Sequence, residues 1–326
     1  MFDLLGTCVK ATAEIAERAF EFALRSLRTL RLLFRLARFG KAPTHSLLMV
    51  AVVSRIALSP APSRAQSAAP VVLELFTSEG CSSCPPADQL LERLTSAAVG
   101  GAKVVALGEH VDYWDRLGWR DRFSSAAFTS RQEVYARRFN LDSAYTPQMV
   151  VDGRAELVGS DSAAARRAIA TAAAAPHGTM TVVARPLDVA RPLDVARPLD
   201  VARPFQGRDP GGPERPAPLV SVFVSVATLP PTARGDHADI VVAVTEDALR
   251  SEVKSGENRG RTLTHTAVVR TLTAIGEATG PTAAAETTIA VPPDWRRERL
   301  NIVAFVQQRR DRSIVAAASV PLIGRP

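Results

Sequence analysis

The chain has 326 residues, of which 46% are hydrophobic and 22% are charged. This length predicts about two domains, and the composition is that of a globular protein, which excludes disordered and collagen-like chains. The net charge of +7 arises near the amino terminus, because residues 1–65 hold ten of the 40 Lys and Arg residues but four of the 33 acids, so we expect no nucleic-acid partner.

Residues 1–65 form a predicted leader. The apolar run at 47–58 is shorter than the roughly 20 residues that cross a membrane, and it is typical of the hydrophobic region of a signal peptide. Small residues at Ser63 and Ala65 predict cleavage near Ala65 and export to the periplasm or the medium. Residues 1–40 carry an apolar face and an arginine face, which predicts contact with an anionic membrane surface. Alternatively, translation starts downstream of this stretch.

The pattern of apolar residues in 70–176 predicts an α/β domain. Apolar runs bounded by turn signals predict strands, and apolar residues spaced by three or four predict helices. In chain order the predicted elements are strand Val71–Phe76, helix Ser83–Thr95, strand Lys103–Leu107, helix Ser125–Phe139, the hairpin of Met149–Val151 with Glu156–Val158, and helix Ser160–Ala174. The first three elements form a βαβ unit, so their two strands should be parallel.

Residues 177–322 predict a smaller antiparallel β-sandwich-like domain, because short strands recur along them with turn signals in between. The predicted strands are Thr179–Val183, Leu219–Ala227, Asp239–Thr245, Thr262–Leu272, Thr287–Val291, Leu300–Gln307 and Ser313–Val320. The sequence Ala-Arg-Pro-Leu-Asp-Val occurs three times between positions 184 and 201. Together with the Gly- and Pro-rich residues after it, this repeat predicts a flexible insertion at 185–218.

The strongest chemical signal is the run Cys81-Ser82-Ser83-Cys84, directly after the first predicted strand. Removal of the leader also removes Cys8, which leaves one even pair that an exported protein is free to join as a disulfide. The start of a helix stabilises a thiolate through its positive dipole end. Cys81 is therefore the predicted nucleophile, and Cys84, about one turn further on, is the predicted resolving cysteine.

A second signal is the dipeptide Thr146-Pro147, which immediately precedes the predicted hairpin. In the thioredoxin architecture, the strand that faces the active cysteines starts with a cis-proline, and Thr146-Pro147 resembles that feature. Pro147 would then shape the edge at which a peptide docks. The alternative is a trans proline in an ordinary loop, since about 5–6% of X–Pro bonds in folded proteins are cis.

Polar and aromatic side chains follow the second predicted strand: His110, Asp112, Tyr113 and Trp114. The carboxyl ends of parallel strands meet at one rim, so with Thr146 these residues are candidates for a substrate groove beside the cysteines. His110 is also a candidate acid–base group or a ligand for a soft metal. Alternatively, Trp114 packs in the core and Asp112 caps the next segment.

Two further sets of polar residues are expected to have structural positions. Arg131, Gln132 and Tyr135 lie on the second predicted helix, where a solvated face is the default expectation. His265 lies in an alternating strand and is expected to pack rather than to react.

Several of these runs together resemble one family. They are ELFTSEGCSSCPPAD at 74–88, HVDYWD at 110–115, YTPQMVVDG at 145–153, and Gly256-Glu257-Asn258 with the segments that follow it up to Arg270. They resemble the exported bacterial family called domain of unknown function 1223. The resemblance implies a thioredoxin-like fold for residues 70–176 and the placement of both cysteines, and it brings no established reaction.

Three functions are compatible with this pattern. The first is an exported thiol–disulfide oxidoreductase that acts on protein thiols and disulfides through Cys81 and Cys84. The second is a non-catalytic interaction protein in which the same pair is a structural disulfide. The third is a Cu(I)-binding module with Cys81, Cys84 and His110 as ligands. No phosphate loop, nucleophilic triad or dinucleotide fingerprint occurs in the sequence, so no cofactor is predicted.

Overall fold

The computed structural model describes residues 68–96, 98–187, 217–232 and 235–322. The predicted leader and its cleavage site lie outside the described residues, and so do residues 188–216 of the predicted insertion. From Ser67 onward the chain forms one compact unit. Within the described residues, no helix has the length and apolar character needed to cross a membrane.

The amino-terminal elements follow the predicted order. They are β1 Ala69–Thr77, α1 Pro85–Thr95, β2 Ala102–His110, α2 Ala126–Arg138, β3 Gln148–Val151, β4 Ala155–Val158 and α3 Ser162–Ala173. β1 and β2 are parallel along their whole length, as a βαβ unit requires. β3 pairs antiparallel with the other edge of β1, and β4 completes the hairpin.

Local sequence explains where the three helices start and what they bury. Ser125 caps α2 by accepting a hydrogen bond from the Ala127 amide at 3.2 Å, and Asp161 caps α3 by accepting from the Ala164 amide at 2.9 Å. α1 begins with two prolines, which the first turn tolerates because its amides have no helical partner. Its buried face consists of Ala87, Leu90, Leu91 and Leu94.

The carboxy-terminal elements are all strands, apart from one 3-10 turn. They are β5 Thr179–Leu187, β6 Leu219–Ala227, β7 Ala238–Glu246, β8 Leu249–Glu252, β9 Thr262–His265, β10 Val268–Ala278, β11 Ala283–Ala290, β12 Leu300–Gln308 and β13 Ile314–Pro321. β5 includes the first three residues of the predicted insertion. β8 was not predicted by the sequence pattern.

The predicted single strand Thr262–Leu272 is wrong, since the structure has two strands there, β9 and β10. The chain turns at Ala267, whose φ is +52°. The Ala267 amide donates to Asp247 Oδ1 at 2.9 Å, and its carbonyl accepts from the Gly108 amide at 2.8 Å. Contacts with distant residues therefore break a pattern that reads locally as one strand.

An eight-stranded mixed sheet joins the two segments that the sequence pattern divides at 176/177. Its strand order is β13-β12-β7-β10-β2-β1-β3-β4. The junction is a parallel pairing of Val268 in β10 with Gly108 in β2. At Gly108 a Cβ atom would stand 3.1 Å from the Thr266 carbonyl oxygen, so glycine permits this close approach. The fold is therefore a mixed α/β structure in which both segments share one sheet.

A sandwich forms on the carboxy-terminal side of this sheet. A second sheet of three strands, β11-β6-β5, packs against the antiparallel half of the large sheet. Alternate valines of β6 are buried, from Val220 to Val226, and they contact residues of β7 and β12 such as Ile240 and Ile302. This alternation is the pattern that predicted a sandwich in this part of the chain.

Replacement of Gly153 by alanine is expected to destabilise the fold by about 3 kcal/mol or more. Gly153 has a φ of +63°, and a Cβ atom there would stand 1.9 Å from the Arg312 carbonyl oxygen. The matched control is Gly101→Ala. Gly101 also has a positive φ, of +82°, but a Cβ atom added there would have no atom within 4 Å. Urea denaturation of both variants separates the clash from the backbone cost. Equal losses of stability in the two variants would contradict the role of the clash.

Candidate functional site

Cys81 and Cys84 form a disulfide at the start of α1, with their Cα atoms 5.4 Å apart. Cys84 is the N-cap of the helix, and Cys81 lies in the preceding turn, where its carbonyl accepts from the Cys84 amide at 3.2 Å. The predicted start of the helix, at Ser83, was therefore two residues early. The reason is that the first turn with helical hydrogen bonds begins at the two prolines, Pro85 and Pro86.

Both cysteines are fully buried, each with 0% relative exposure, whereas Ser82 and Ser83 between them are exposed. Cys81 Sγ lies 3.3 Å from Ser83 Oγ, within hydrogen-bonding distance of the hydroxyl. The solvent-exposed part of the turn is therefore formed by the two serines. A nucleophile can attack either sulfur only after some part of the surrounding structure moves.

Residues 253–261, here called the cap loop, lie between β8 and β9 and contact the backbone of the cysteine turn. Asn258 Nδ2 donates to the carbonyl oxygens of Glu79 and Cys81, each at 2.9 Å. Glu257 Oε2 accepts from the Ser82 amide at 3.0 Å, and the hydrogen bonds from Ser82 lower the pKa of Glu257. Asn258 is completely buried, which makes it a structural clamp on the cysteine turn.

The peptide bond between Thr146 and Pro147 is cis, as the resemblance to the thioredoxin architecture predicted. Pro147 lies close to the cysteine-bearing helix, since a Cβ atom at Gly159 would stand 3.0 Å from Pro147 Cβ and 3.1 Å from Ala87 Cβ. Trp114 Nε1 donates to Thr146 Oγ1 at 2.8 Å. The hairpin start and the indole are therefore held together beside α1.

Trp114 also borders the cysteine turn. Its Cβ lies 3.1 Å from the position that a Cβ atom would take at Gly80, directly before Cys81. The structure thus brings Trp114 and Thr146 to the same region as the cysteines, where the sequence predicted a groove.

Asp112 and Tyr113 contact α2 instead of the cysteine turn. Asp112 Oδ1 accepts from Thr129 Oγ1 at 2.6 Å, and the Tyr113 hydroxyl donates to Gln132 Oε1 at 3.2 Å. Burial raises the pKa of Tyr113. Both side chains are therefore held against α2.

His110 is buried, and its Nδ1 lies 2.6 Å from Asp121 Oδ2. Its ring packs against the ring of His265 with centroids 4.9 Å apart. His265 Nε2 in turn lies 3.3 Å from Glu79 Oε1. We call Glu79, His110, Asp121 and His265 the acid–histidine cluster.

The acid–histidine cluster adjoins the cysteine turn through the chain itself, because Glu79 lies two residues before Cys81. The Glu79 amide donates to Asp121 Oδ2 at 2.9 Å, and Glu79 Oε2 accepts from Trp119 Nε1 at 2.7 Å. Sequence reasoning missed Glu79, Asp121 and Asn258. Glu79 and Asn258 lie within sequence segments that resemble the family, and these segments were the signal that could have identified the two residues.

Opposing effects set the ionisation of the cluster. Burial lowers the pKa of His110, but the charge of Asp121 and its hydrogen bond outweigh burial, so the pKa of His110 is raised. Burial likewise raises the pKa of Asp121, but the His110 charge prevails and lowers it to about 2. Burial also opposes the ionisation of Glu79, and the hydrogen bond from His265 helps to lower its pKa. These directions favour an imidazolium–carboxylate pair beneath the cysteine turn.

The acid–histidine cluster also affects the pKa of Asp88 on α1. Burial raises its pKa, although the charges of His265 and His110 oppose the increase. The Asp88 amide donates to the Cys84 carbonyl at 3.1 Å, so Asp88 lies one helical turn beyond Cys84. Asp88 is thus a titratable group close to both Cys84 and the acid–histidine cluster.

The Cu(I) alternative receives no support from this arrangement. Both predicted sulfur ligands are joined in the disulfide, and His110 Nδ1 is occupied by Asp121. Over residues 68–322, where the structure describes them, no group of three or more His, Cys, Asp or Glu side chains is arranged to hold a metal ion.

The expectation that α2 presents Arg131, Gln132 and Tyr135 to solvent is wrong. Gln132 and Tyr135 are fully buried, and Arg131 Nε donates to Glu74 Oε2 at 2.6 Å. The reason lies in the sheet, because β1 and β2 place two buried carboxylates beneath α2, Glu74 and Glu109. Burial and the nearby Glu74 charge raise the pKa of Glu109 well above its usual range.

Replacement of Asp121 by asparagine is expected to destabilise the protein by about 3 kcal/mol, because it leaves a buried histidine without its carboxylate. The raised pKa of His110 adds stability that is fully present below about pH 6.5 and is lost as the pH rises through its folded-state value. The lowered pKa of Asp121 adds stability that is present above about pH 3.9 and is lost as the pH falls toward 2. The difference between wild type and variant should therefore be largest between these limits.

Urea denaturation at pH 5 and pH 9 measures this difference. Asp142→Asn is the matched control, since Asp142 is exposed and the change of charge is the same. A loss of stability in Asp121→Asn that does not shrink at the higher pH would contradict the charged His110–Asp121 pair.

One solved structure shares this fold. A crystal structure of a protein from Agrobacterium tumefaciens is 23% identical, with a TM-score of 0.55, and the match covers 80% of this chain and 98% of that one. HBP35 of Porphyromonas gingivalis is 13% identical over 79% of this chain and 76% of its own, with a TM-score of 0.46. Among curated proteins, none matches this sequence.

The model of one family, described as a protein of unknown function (DUF1223), matches residues 72–201 and 219–307. These ranges span more than half of the chain and include the cysteine turn, the acid–histidine cluster, the cis-proline and the cap loop. The chain therefore belongs to the DUF1223 family of proteins of unknown function.

Proposed function

We propose that this protein is a thiol–disulfide oxidoreductase with a thioredoxin-like arrangement of its cysteines. The observation that carries the proposal is the Cys81–Cys84 disulfide at the start of a helix that follows the first strand of a βαβ unit. The cis-proline Pro147 lies beside that helix. A disulfide at this place in a βαβ unit is the context of a redox motif.

The chemistry is a two-electron exchange. In the reduced protein, the Cys81 thiolate attacks one sulfur of a substrate disulfide, and the other substrate sulfur leaves as a thiolate that takes up a proton. The Cys84 thiolate then attacks Cys81 Sγ, which forms the Cys81–Cys84 bond and releases the second substrate thiolate. The reverse sequence oxidises a substrate dithiol, so the reduction potential decides the direction.

The dipole of α1 is the expected source of thiolate stabilisation. Pro85 and Pro86 have no N–H group, and the Ala87 and Asp88 amides both donate to the Cys84 carbonyl. Direct amide donation to a sulfur is therefore limited in the first turn. The dipole still favours a negative charge there, while the nearby carboxyl of Asp88 opposes one.

The proposed location is the periplasm or the medium, because structural and exchangeable disulfides both persist in oxidising compartments. This proposal rests on the predicted signal peptide and cleavage near Ala65. Protein thiols and disulfides are the proposed partners.

A second candidate function is a non-catalytic interaction protein with a structural disulfide. It is favoured by one observation, the complete burial of both cysteines. Loop closure is a weak reason for such a bond, since a four-residue loop contributes about 2 kcal/mol.

A glutathione redox titration of the full chain tests the proposal, with Cys8→Ser to leave one cysteine pair and thiol labelling of Cys81 and Cys84 as the readout. We expect a potential between about −270 and −120 mV, the range of known exchange proteins. A potential below about −300 mV would identify a structural disulfide and favour the interaction protein.

A further inference from the structure

One edge of β10 has no strand partner for most of its length. β10 pairs with β7 from Val268 to Ala278, but on its other edge it pairs with β2 at Val268 alone. Beyond that residue, the described strands provide no partner for the backbone groups on this edge. Thr271 and Thr273 are exposed there. An open strand edge is a template for pairing with another chain.

The open edge forms one wall of a groove whose other wall is the first half of α2. The groove has a volume of about 680 Å³. Apolar side chains from both sides line it, among them Phe128, Leu272 and Trp295. An extended peptide in this groove would therefore meet unpaired backbone groups on one side and apolar side chains on the other.

Basic side chains outnumber acidic ones in the lining of the groove. Arg122, Arg131, Arg270 and Arg312 line it, and its lining contains no Asp or Glu. Arg131 Nε lies 2.6 Å from Oε2 of the buried Glu74, and this ion pair leaves Arg131 little charge for a ligand.

Arg122 is the arginine of this groove most available to a ligand. The Arg122 guanidinium is exposed and donates to the carbonyl of Arg250 at 2.9 Å. The Arg270 guanidinium lies 5.0 Å from the centroid of the Trp295 ring. Arg270 is already paired within this chain, since its Nη2 donates to Asp294 Oδ2 at 3.5 Å and its Nε lies 3.7 Å from Glu246 Oε2.

We propose that this groove binds an extended acidic segment of a partner protein, which adds as a strand to the open edge of β10. Backbone hydrogen bonds to β10 would supply affinity, and a carboxylate of the segment would pair with Arg122. Side chains alternate along a strand, so every second one of the segment would contact the apolar wall near Trp295. The inference does not depend on disulfide exchange, because none of these residues belongs to the cysteine turn.

The test uses the full chain and a fluorescein-labelled octapeptide of alternating glutamate and valine. We expect saturable binding by fluorescence polarisation, weakened about tenfold or more by Arg122→Glu. The matched control is Arg166→Glu, an identical charge change on an exposed residue of α3, which should bind like wild type. A peptide N-methylated on its alternate amides should fail to bind, because it cannot donate to the strand edge.

Several outcomes would overturn the proposal. They are the absence of saturable binding, equal binding of the N-methylated peptide, and equal weakening by Arg122→Glu and Arg166→Glu. Sedimentation supplies a further test, since a dimer of the full chain that dissociates in Arg122→Glu would assign the groove to a second copy. Circular dichroism establishes that both variants are folded before binding is compared.

Discussion

Cys81→Ser is expected to abolish exchange with a model disulfide, and Cys84→Ser is expected to accumulate a mixed disulfide with its substrate. The reason is the order of the two steps. Without the Cys81 thiolate no mixed disulfide forms, and without Cys84 nothing resolves one. Non-reducing electrophoresis with mass spectrometry measures the trapped species, and a coupled assay on a protein disulfide measures turnover.

The exposed residue Ser82 provides the control, since Ser82→Ala changes the same turn without removing a sulfur or the Ser83 hydroxyl beside Cys81 Sγ. Loss of the disulfide removes only about 2 kcal/mol of loop-closure stabilisation, so the fold should survive in both cysteine variants. Full activity in Cys81→Ser would reject the oxidoreductase. A Cys84→Ser variant that traps no partner would show that the pair does not resolve mixed disulfides as proposed.

Asn258→Ala is expected to accelerate reduction of the Cys81–Cys84 disulfide by dithiothreitol about tenfold or more. Asn258 holds the cap loop on the cysteine turn through two hydrogen bonds of 2.9 Å, to the carbonyls of Glu79 and Cys81. Each such bond stabilises the closed state by about 1 kcal/mol, so removing both raises the open population by one order of magnitude or more. Quenched thiol labelling at increasing times measures the rate.

Arg259→Ala is the matched control, because Arg259 lies in the same loop and is exposed. Hydrogen exchange of residues 253–261 separates local opening from global destabilisation, since a local effect leaves the exchange of β1 and β2 unchanged. An unchanged reduction rate in Asn258→Ala would show that reductants reach the disulfide without opening of the cap loop.

The elements that formed as predicted are those with strong local signals. The apolar spacing of α1 and the alternation of β6 each reflect which face is buried, and that face follows from side chains a few residues apart. β1 and β2 are longer than predicted, because their pairing extends past the apolar runs to Thr77 and His110.

Errors occurred where distant contacts overrode the local pattern. The turn at Ala267 depends on Asp247 and Gly108, which are remote in sequence. The buried face of α2 carries Gln132 and Tyr135 because carboxylates of β1 and β2 lie beneath it. A polar residue in a helix is read as solvated unless its partner is known.

The βαβ unit, the cysteine pair at its helix, the hairpin with its proline and the family could all be predicted before the fold was known. These features depend on spacing within short segments, where chain geometry leaves few alternatives. The shared sheet, the hydrogen bond from Asn258 to the cysteine turn and the pairing of His110 with Asp121 beside His265 follow only from the folded chain. Those contacts join residues far apart in the chain, and burial selects them through packing and hydrogen bonding that no local pattern encodes.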